Sequence, residues 1–463
     1  MAGSYLLRKK STAVFVICQS FAATALFAAG FQPDLTSPSL QGSAMAGAAA
    51  ASNDVSALFN NPATLATLKQ NQAYLGASEF LPQLKMSGAS AVHIFNVPGD
   101  YMPSNLSAPV LGLTSQNKIN QSAFLPSAYL GERISERFTF GLGINEPYYW
   151  SSNFSPNSVL RFSNIKTKIK SLNANPALSY KINDSWAVAA GFQAQYLQAS
   201  FSNFYGPYTG ERDIDDLLAA SIPSFVKGNG WGYGYTLGAL YQPSQSTRLG
   251  IGYRSKISTR LHGTGRQYTT GGAIVSAPSQ DFIFNTFTRM SSKIKTPAVL
   301  TLGAAQDLNN QWTVKATAQV NFWDTFKTLA IATPEAYVVN NAMKMKWRNA
   351  WFASLGADYR ATSTLTVRAG LAYDQTPATK AHRNTLIPDS NQFSANLGLT
   401  YALTNYLSVD GAYSHVFQNS RSVHQTESGI INPLITSPIE INQVQARFKG
   451  SANIVALGIR YSC

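Results

Sequence analysis

One pattern recurs along most of this chain: apolar and aromatic residues at every second position, small or uncharged polar residues between them. Over Trp231–Tyr241, Trp231, Tyr233, Tyr235, Leu237 and Tyr241 alternate with Gly232, Gly234, Thr236 and Gly238; only Leu240 breaks the rule. Over Leu365–Asp374 one face carries Leu365, Val367, Ala369, Leu371 and Tyr373, the other Thr366, Arg368, Gly370, Ala372 and Asp374. Val314–Phe322, 138–144, 186–196, 249–254, 393–401 and 455–463 behave alike. A period of two is that of a β-strand with two unlike faces.

A soluble sandwich would also alternate. Here the second face holds Gly, Gln, Asn, Thr and Arg rather than the Lys/Glu mixture of a solvated surface, as a crowded polar lumen would. Aromatics gather where strands end, at Trp186, Tyr196, Trp231, Tyr241, Tyr373 and Tyr401, as interface girdles do. Charged residues are 13% of the chain, against about 25% in ordinary soluble domains. Beyond residue 30 no apolar run approaches the ~18 residues of a membrane helix. The fold expected is all-β and membrane-embedded, an antiparallel transmembrane β-barrel. About fourteen alternating segments between residues 71 and 463 fit an even-numbered barrel. At roughly 28 residues for each strand with its connection, against the 9–11 that cross a bilayer, outer loops must be long.

Residues 1–28 read as a secretory signal peptide. Arg8, Lys9 and Lys10 precede the apolar stretch Ala13–Leu26 and small residues. Ala23-Thr24-Ala25 fits the cleavage preference, and a cut after Ala28 fits it less well. The formal charge of +14 comes from 36 basic and 22 acidic residues. The leader removes three basic and no acidic residues, leaving 33 against 22, or +11. No recognition helix or Lys/Arg cluster accompanies that charge, so nucleic acid is excluded as a partner. Anionic lipopolysaccharide, outer-membrane lipid and anionic ligands are the expected counterparts. Cys463 is the sole cysteine after the leader, so no internal disulfide can form.

Two segments lack the alternation. Residues 29–70 are rich in Ala, Ser and Gly and too poor in large apolar residues to fold alone. Residues 211–227 place Ile214, Leu217, Leu218 and Ile222 at helical spacing behind Asp213, a candidate cap. They predict a short amphipathic helix in an outer loop.

Ala29-Gly30-Phe31-Gln32, followed some thirty residues later by Asn61-Pro62-Ala63, resembles the FadL-type outer-membrane transporters of long-chain fatty acids. Ala174–Asn183, Gly230–Tyr235 with Arg248–Ser255, Tyr373-Asp-Gln-Thr-Pro377, Arg383 and Ile387-Pro-Asp389 resemble further marks of that family, in order along the chain. The resemblance implies a fourteen-stranded barrel (residues 71–463) plugged by an N-terminal hatch with short helices (29–70). It implies passive uptake of a long-chain fatty acid or other hydrophobic small molecule, gated by a hatch rearrangement and a lateral opening. No cofactor or energy source would be needed, and a monomer is expected. Two alternatives stay open: aromatic or alkane hydrocarbons as substrate, or a surface adhesin or receptor without transport.

By the resemblance, Asn61, Pro62 and Ala63 form the hatch motif. Pro62 restricts Asn61 to extended backbone, freeing its amide for the wall. Phe31, with Gly30, is expected to line the ligand pocket. Asn145 ends an alternating run with Gly141 and Gly143; Glu146 would then face lipid, and Pro147 cannot donate to a ladder. Either the strand kinks at Asn145, Glu146 and Pro147 to give the lateral opening, or it ends at Asn145. For a ligand carboxylate, Arg248, Arg254, Lys315 and Arg368 fall on the lumen side by parity. Lys344, Lys346 and Arg348 lie near a position where the family places a ligand-facing lysine. Where a family arginine is expected, this chain has Asn203. The competing role for each lumen cation is pairing with an acid such as Asp374 or Asp410. His93, His262, His382, His415 and His424 are scattered, no G-x-S-x-G occurs, and no residues have metal-ligand spacing. Neither an enzyme nor a metal site is expected.

Overall fold

The computed structural model describes residues 30–96, 106–205, 222–270, 283–332, 341–430 and 439–463. The leader therefore lies outside the described residues. Strand segments join into a closed barrel of fourteen antiparallel staves. These are β1 (Gln72–Asn96), β2 (Ala123–Arg133), β3 (Phe138–Asn145 and Tyr149–Asn153), β4 (Lys166–Lys181), β5 (Trp186–Tyr205), β6 (Ile222–Tyr241) and β7 (Thr247–Arg254 and Ile257–Thr270). They continue as β8 (Ile283–Thr296 and Val299–Asp307), β9 (Trp312–Asn321 and Thr328–Ala332), β10 (Asn341–Lys344 and Ala350–Arg360), β11 (Leu365–Asp374), β12 (Gln392–Ala402), β13 (Leu407–Gln418 and Arg421–Ile430) and β14 (Ile439–Ser462). β1 pairs with β14 and closes the sheet. A barrel leaves no backbone edge facing lipid, which the membrane interior requires.

Turns of four or five residues, such as 182–185, 242–246 and 308–311, join staves at one end, and long connections join them at the other. Outward positions carry exposed Leu75, Leu237, Leu302, Leu355 and Leu457, an apolar band for lipid. Near the short turns the outward aromatics pair across strands. Trp186 stacks on Tyr241 at 4.3 Å, and Trp312 lies 4.6 Å from Tyr359 between ring centroids.

Residues 211–221 of the predicted helix fall outside the described residues. Residues 222–227 are not helical: they open β6, and Ser224–Lys227 pair with Asn203–Ser200 of β5. The ladder supplies the backbone partners a helix would have, and Pro223 sits one residue beyond the last rung with β7, at Ser224, where its missing N–H costs nothing there.

Residues 30–70 fold inside the barrel as one short α-helix, Pro38–Gln41, and three 3-10 turns, Ala48–Ala50, Val55–Phe59 and Pro62–Thr67. Asp54 and Asn61 cap the last two through their side chains. The segment has little apolar bulk, so the wall must come very close to it. Gly250 and Gly252 of β7 allow that: a Cβ at either would run into the carbonyl oxygens of Ala49 and Asn60 respectively. Leu240, the exception to the alternation, points inward and packs on Ala50 and Ala63.

Charges inside the barrel are chained together. Asp54 meets Arg460 at 2.9 Å, Arg460 reaches Asp410 at 3.5 Å, Arg368 lies between Asp410 and Asp358, and Lys315 meets Asp358 at 2.6 Å. Lys315 also donates to Ser43 at 2.8 Å, so both ends of the chain touch the buried segment. Burial raises the Asp54 carboxyl, but Arg460 and hydrogen bonds from Ser39 and Ser56 hold it below its ordinary value.

Gly250→Val should unseat the segment from β7, at a cost of about 1–3 kcal/mol for an overpacked contact. Single-channel recordings in planar bilayers should show higher conductance than the parent; equal conductance would mean that the segment stays seated without this contact.

Candidate functional site

The wall is broken in β3. Asn145 is the last residue paired on both sides, with Ser127 of β2 and Asn173 of β4. After Glu146-Pro147-Tyr148 the stave resumes, but Tyr149–Asn153 pairs only with Lys166–Lys170 of β4. Ala123–Pro126 of β2 pairs only with β1. The alternation is lost as well, since residues 147–152 are all buried. This stretch has moved inward, leaving β2 and β3 unladdered above Asn145. The run ends at Asn145 and resumes at Tyr149.

The displaced stretch is tied to the first described residues. The Tyr149 N–H donates to the Phe31 carbonyl at 2.9 Å. The Phe31 ring is buried among Tyr148, Trp323, Phe326 and Trp347, with centroids 4.8–5.8 Å away. Gly30, with φ of +67°, donates its N–H to Asp389 at 3.1 Å, and a Cβ there would collide with the Trp347 ring. Trp150 donates to the Leu386 carbonyl at 2.7 Å, tying the stretch to the 375–391 connection. A second link runs through Tyr129. Its hydroxyl donates to the Thr36 carbonyl at 2.7 Å and accepts from the Asn145 amide at 3.1 Å. Burial pushes the Asp389 carboxyl up, against hydrogen bonds from Thr376 and Gly30 and the charge of Arg421.

Asn61 stands deeper. Its amide donates to Ala49 at 2.7 Å within the segment and to Ala239 of β6 at 3.0 Å, while its oxygen accepts the Ala63 N–H. Pro62 starts the 3-10 turn where no N–H is needed.

Beside Phe31 lies a cavity of about 940 Å³ of empty space, part of it open to solvent. Phe80, Asn120, Gln121 and Tyr149 line it at the break; Asp374, Gln392, Ser394 and Ser414 line the far wall; Gly30–Leu35 pass between.

The cations singled out by sequence do not line it. Arg248 forms a two-pronged pair with Asp307 at 2.7 and 2.9 Å. Arg254 is stacked on Phe59 and bonded to Gln193. Lys315 and Arg368 face inward, as parity predicts, and belong to the ion chain. Lys344, Lys346 and Arg348 are a correction: all three are exposed and point away, while Met345 and Trp347 between them are buried against Phe31. Asn203 donates to the Phe162 carbonyl at 3.1 Å. Sequence reasoning missed Trp323, Trp347, Tyr129 and Asn120; the parity of Met345 and Trp347 against their basic neighbours could have pointed to Trp347 alone.

A lipid-facing barrel with a filled lumen, a lateral break and an apolar cavity behind it is the architecture of an outer-membrane transport channel. The chain belongs to the outer membrane protein transport protein family (OMPP1/FadL/TodX), whose model matches residues 19–463. It is 24% identical over 479 residues to outer membrane protein P1 of Haemophilus influenzae, covering 98% of this chain and 100% of that one. It is likewise 24% identical over 450 residues to the long-chain fatty acid transport protein of Escherichia coli K12, covering 92% and 95%. Among solved structures, a Pseudomonas aeruginosa FadL homologue superposes with a TM-score of 0.79 at 26% identity, covering 94% of this chain and all of that one. The Ralstonia pickettii toluene transporter TbuX shares the fold, with a TM-score of 0.62 at 18% identity over 92% and 98% of the two chains. The protein is therefore an outer-membrane transporter of hydrophobic substrates.

Phe31→Ala should cost about 3–5 kcal/mol for a buried aromatic, and Tyr129→Phe about 1–3 kcal/mol for the buried groups it leaves unpaired. Hydrogen–deuterium exchange should rise over residues 30–60 in both, more in Phe31→Ala; unchanged protection would show that these contacts do not hold the segment.

Proposed function

We propose that the chain takes up long-chain fatty acids by passive diffusion, without chemistry on the ligand, as a monomer. The ligand enters from the long-loop end, reaches the cavity beside Phe31, and leaves sideways where β2 and β3 are unladdered. The observation that carries this reading is the break after Asn145 with the cavity directly behind it. Gating fits the same contacts: Phe31 bonds β3 beyond the break and Thr36 bonds Tyr129 of β2, which holds Asn145 before it, so displacing residues 30–36 releases both. In this reading residues 30–70 act as the hatch, with Asn61-Pro62-Ala63 as its pivot on β6. The names of the relatives support the fatty-acid substrate.

A specific observation favours a second substrate class, neutral hydrocarbons: among the described residues no Lys or Arg lines the cavity. Uptake of radiolabelled oleate should appear in cells that gain this chain and lack a channel of their own. Deleting Glu146 and Pro147 keeps the side-chain parity and lets the ladder run on, and should cut uptake at least tenfold, by roughly the 1.4 kcal/mol or more that such a factor represents. No uptake by the intact chain would overturn transport of oleate, and full uptake by the deletion would overturn the lateral route.

The outer leaflet is the second partner proposed. Above the apolar band the outward faces of β7–β10 turn basic, with Lys256, Arg260, Lys293, Lys295, Lys327, Lys344 and Lys346 exposed. Arg260 lies opposite Lys293 in the ladder, and Lys256, Lys293, Lys295 and Lys327 share one depression with Asp324. Phosphates of lipopolysaccharide meet these charges at the edge of the bilayer. Lys293→Glu with Lys295→Glu should lower the lipopolysaccharide that co-purifies, read by phosphate assay; an unchanged amount would count against this contact.

A further inference from the structure

Buried oxygens without partners gather in the lining of the cavity beside Phe31. Four of its residues are at least nine-tenths buried and carry an oxygen without a hydrogen-bond partner among the described residues: Gln32 Oε1, Asn120 Oδ1, Asp374 Oδ1 and Asp389 Oδ1. The other oxygen of each carboxylate is already engaged. Asp374 Oδ2 accepts from Gln392 at 3.1 Å; Asp389 Oδ2 accepts from Gly30 at 3.1 Å and from Thr376 at 2.6 Å. Donors left without partners, such as the indole N–H groups of Trp323 and Trp347, belong to residues outside this lining. The nearby guanidinium groups stand behind the acids: Arg254 is held by Gln193 and Phe59, and Arg421 by the Pro388 carbonyl and Gln418.

A buried acceptor gains most from a donor that reaches it and loses from another acceptor brought against it. A carboxylate brought against these four oxygens gains nothing from them. A hydroxyl arriving at the end of an apolar chain can donate to one of them, while its chain lies along Phe31, Leu35, Phe80 and Val416, which line the same space.

We propose that this cavity selects apolar molecules that carry a neutral hydrogen-bond donor, long-chain alcohols above all, over carboxylates of equal length. The proposal rests on the reading of this cavity as the transport site and names the head group that the site prefers. It makes Asp374 and Asn120 specificity-determining residues.

The test is calorimetric titration of the full chain in lipid nanodiscs at pH 8 with 1-dodecanol, dodecanoate and dodecane. Dodecanol should bind about tenfold more tightly than either of the others, the factor worth one well-made hydrogen bond. Asp374→Asn, whose amide can keep the Gln392 contact through its oxygen and turn its NH₂ to the cavity, should bring dodecanol and dodecanoate to within about threefold. Asn120→Leu removes an acceptor without touching the acids, and should lower dodecanol affinity while leaving dodecane unchanged. Dodecanoate binding as tightly as dodecanol would overturn the selectivity and leave transport standing. Dodecane matching dodecanol would overturn the need for a donor. Failure of all three to bind would overturn the transport reading itself.

Discussion

The amide of Asn61 joins two carbonyls from different parts of the chain, Ala49 in the buried segment and Ala239 in the wall. Inside a lumen without bulk water, such groups must find each other, since an unpaired buried amide or carbonyl costs more than the net worth of a bond. The rest of the interior is arranged around this contact. Glycines replace side chains in β7 so that backbone can lie against backbone, Leu240 turns inward to cover Ala50 and Ala63, and Pro62 holds Asn61 extended. Fit and hydrogen bonds work beside small apolar clusters, such as Val55, Leu58, Phe59, Leu65 and Leu68 against Tyr74 and Tyr129, where a soluble domain would rely on one core.

Charge is sorted by place. In the lumen, acids and bases alternate from Asp54 to Lys315, so that each buried charge has an opposite neighbour, which is the condition for keeping it there. Beside Phe31 the lining holds carboxylates and amides and, among the described residues, no Lys or Arg. On the outside of β7–β10 the charge is almost wholly positive. A net charge read from composition describes none of these three regions.

The barrel was legible because lipid on one side and lumen on the other force a period of two on every stave. The parity of Leu365–Asp374 and of Val455–Tyr461 is found as read. Leu240 broke the pattern because its inward neighbour is the buried segment and not solvent, a partner no local window contains. The same limit explains Lys344, Lys346 and Arg348. Their spacing is alternating, but which phase faces inward depends on Phe31, three hundred residues away. The kink could be suspected from Pro147 after Asn145. Its ties to Phe31 and Thr36 run through main-chain atoms and a tyrosine hydroxyl, which leave no mark in sequence. Ile222 ends the helical spacing of Ile214, Leu217 and Leu218, and from there to residue 227 the chain is strand because β5 offers it a ladder.

Before closure, a sheet of fourteen staves has two long free edges, β1 and β14, each a template for pairing with another chain. Their union removes both at once, and it joins residues nearly four hundred positions apart. Loop-closure entropy grows only slowly with such a span, so the hazard of that union is misalignment more than cost. The register shift between Ser87 and Ser90, where Gly88 takes a φ of +56°, works as an alignment mark. Sliding β14 along β1 would carry the bulge away from Arg447 and Gln445 and set inward and outward side chains against new partners.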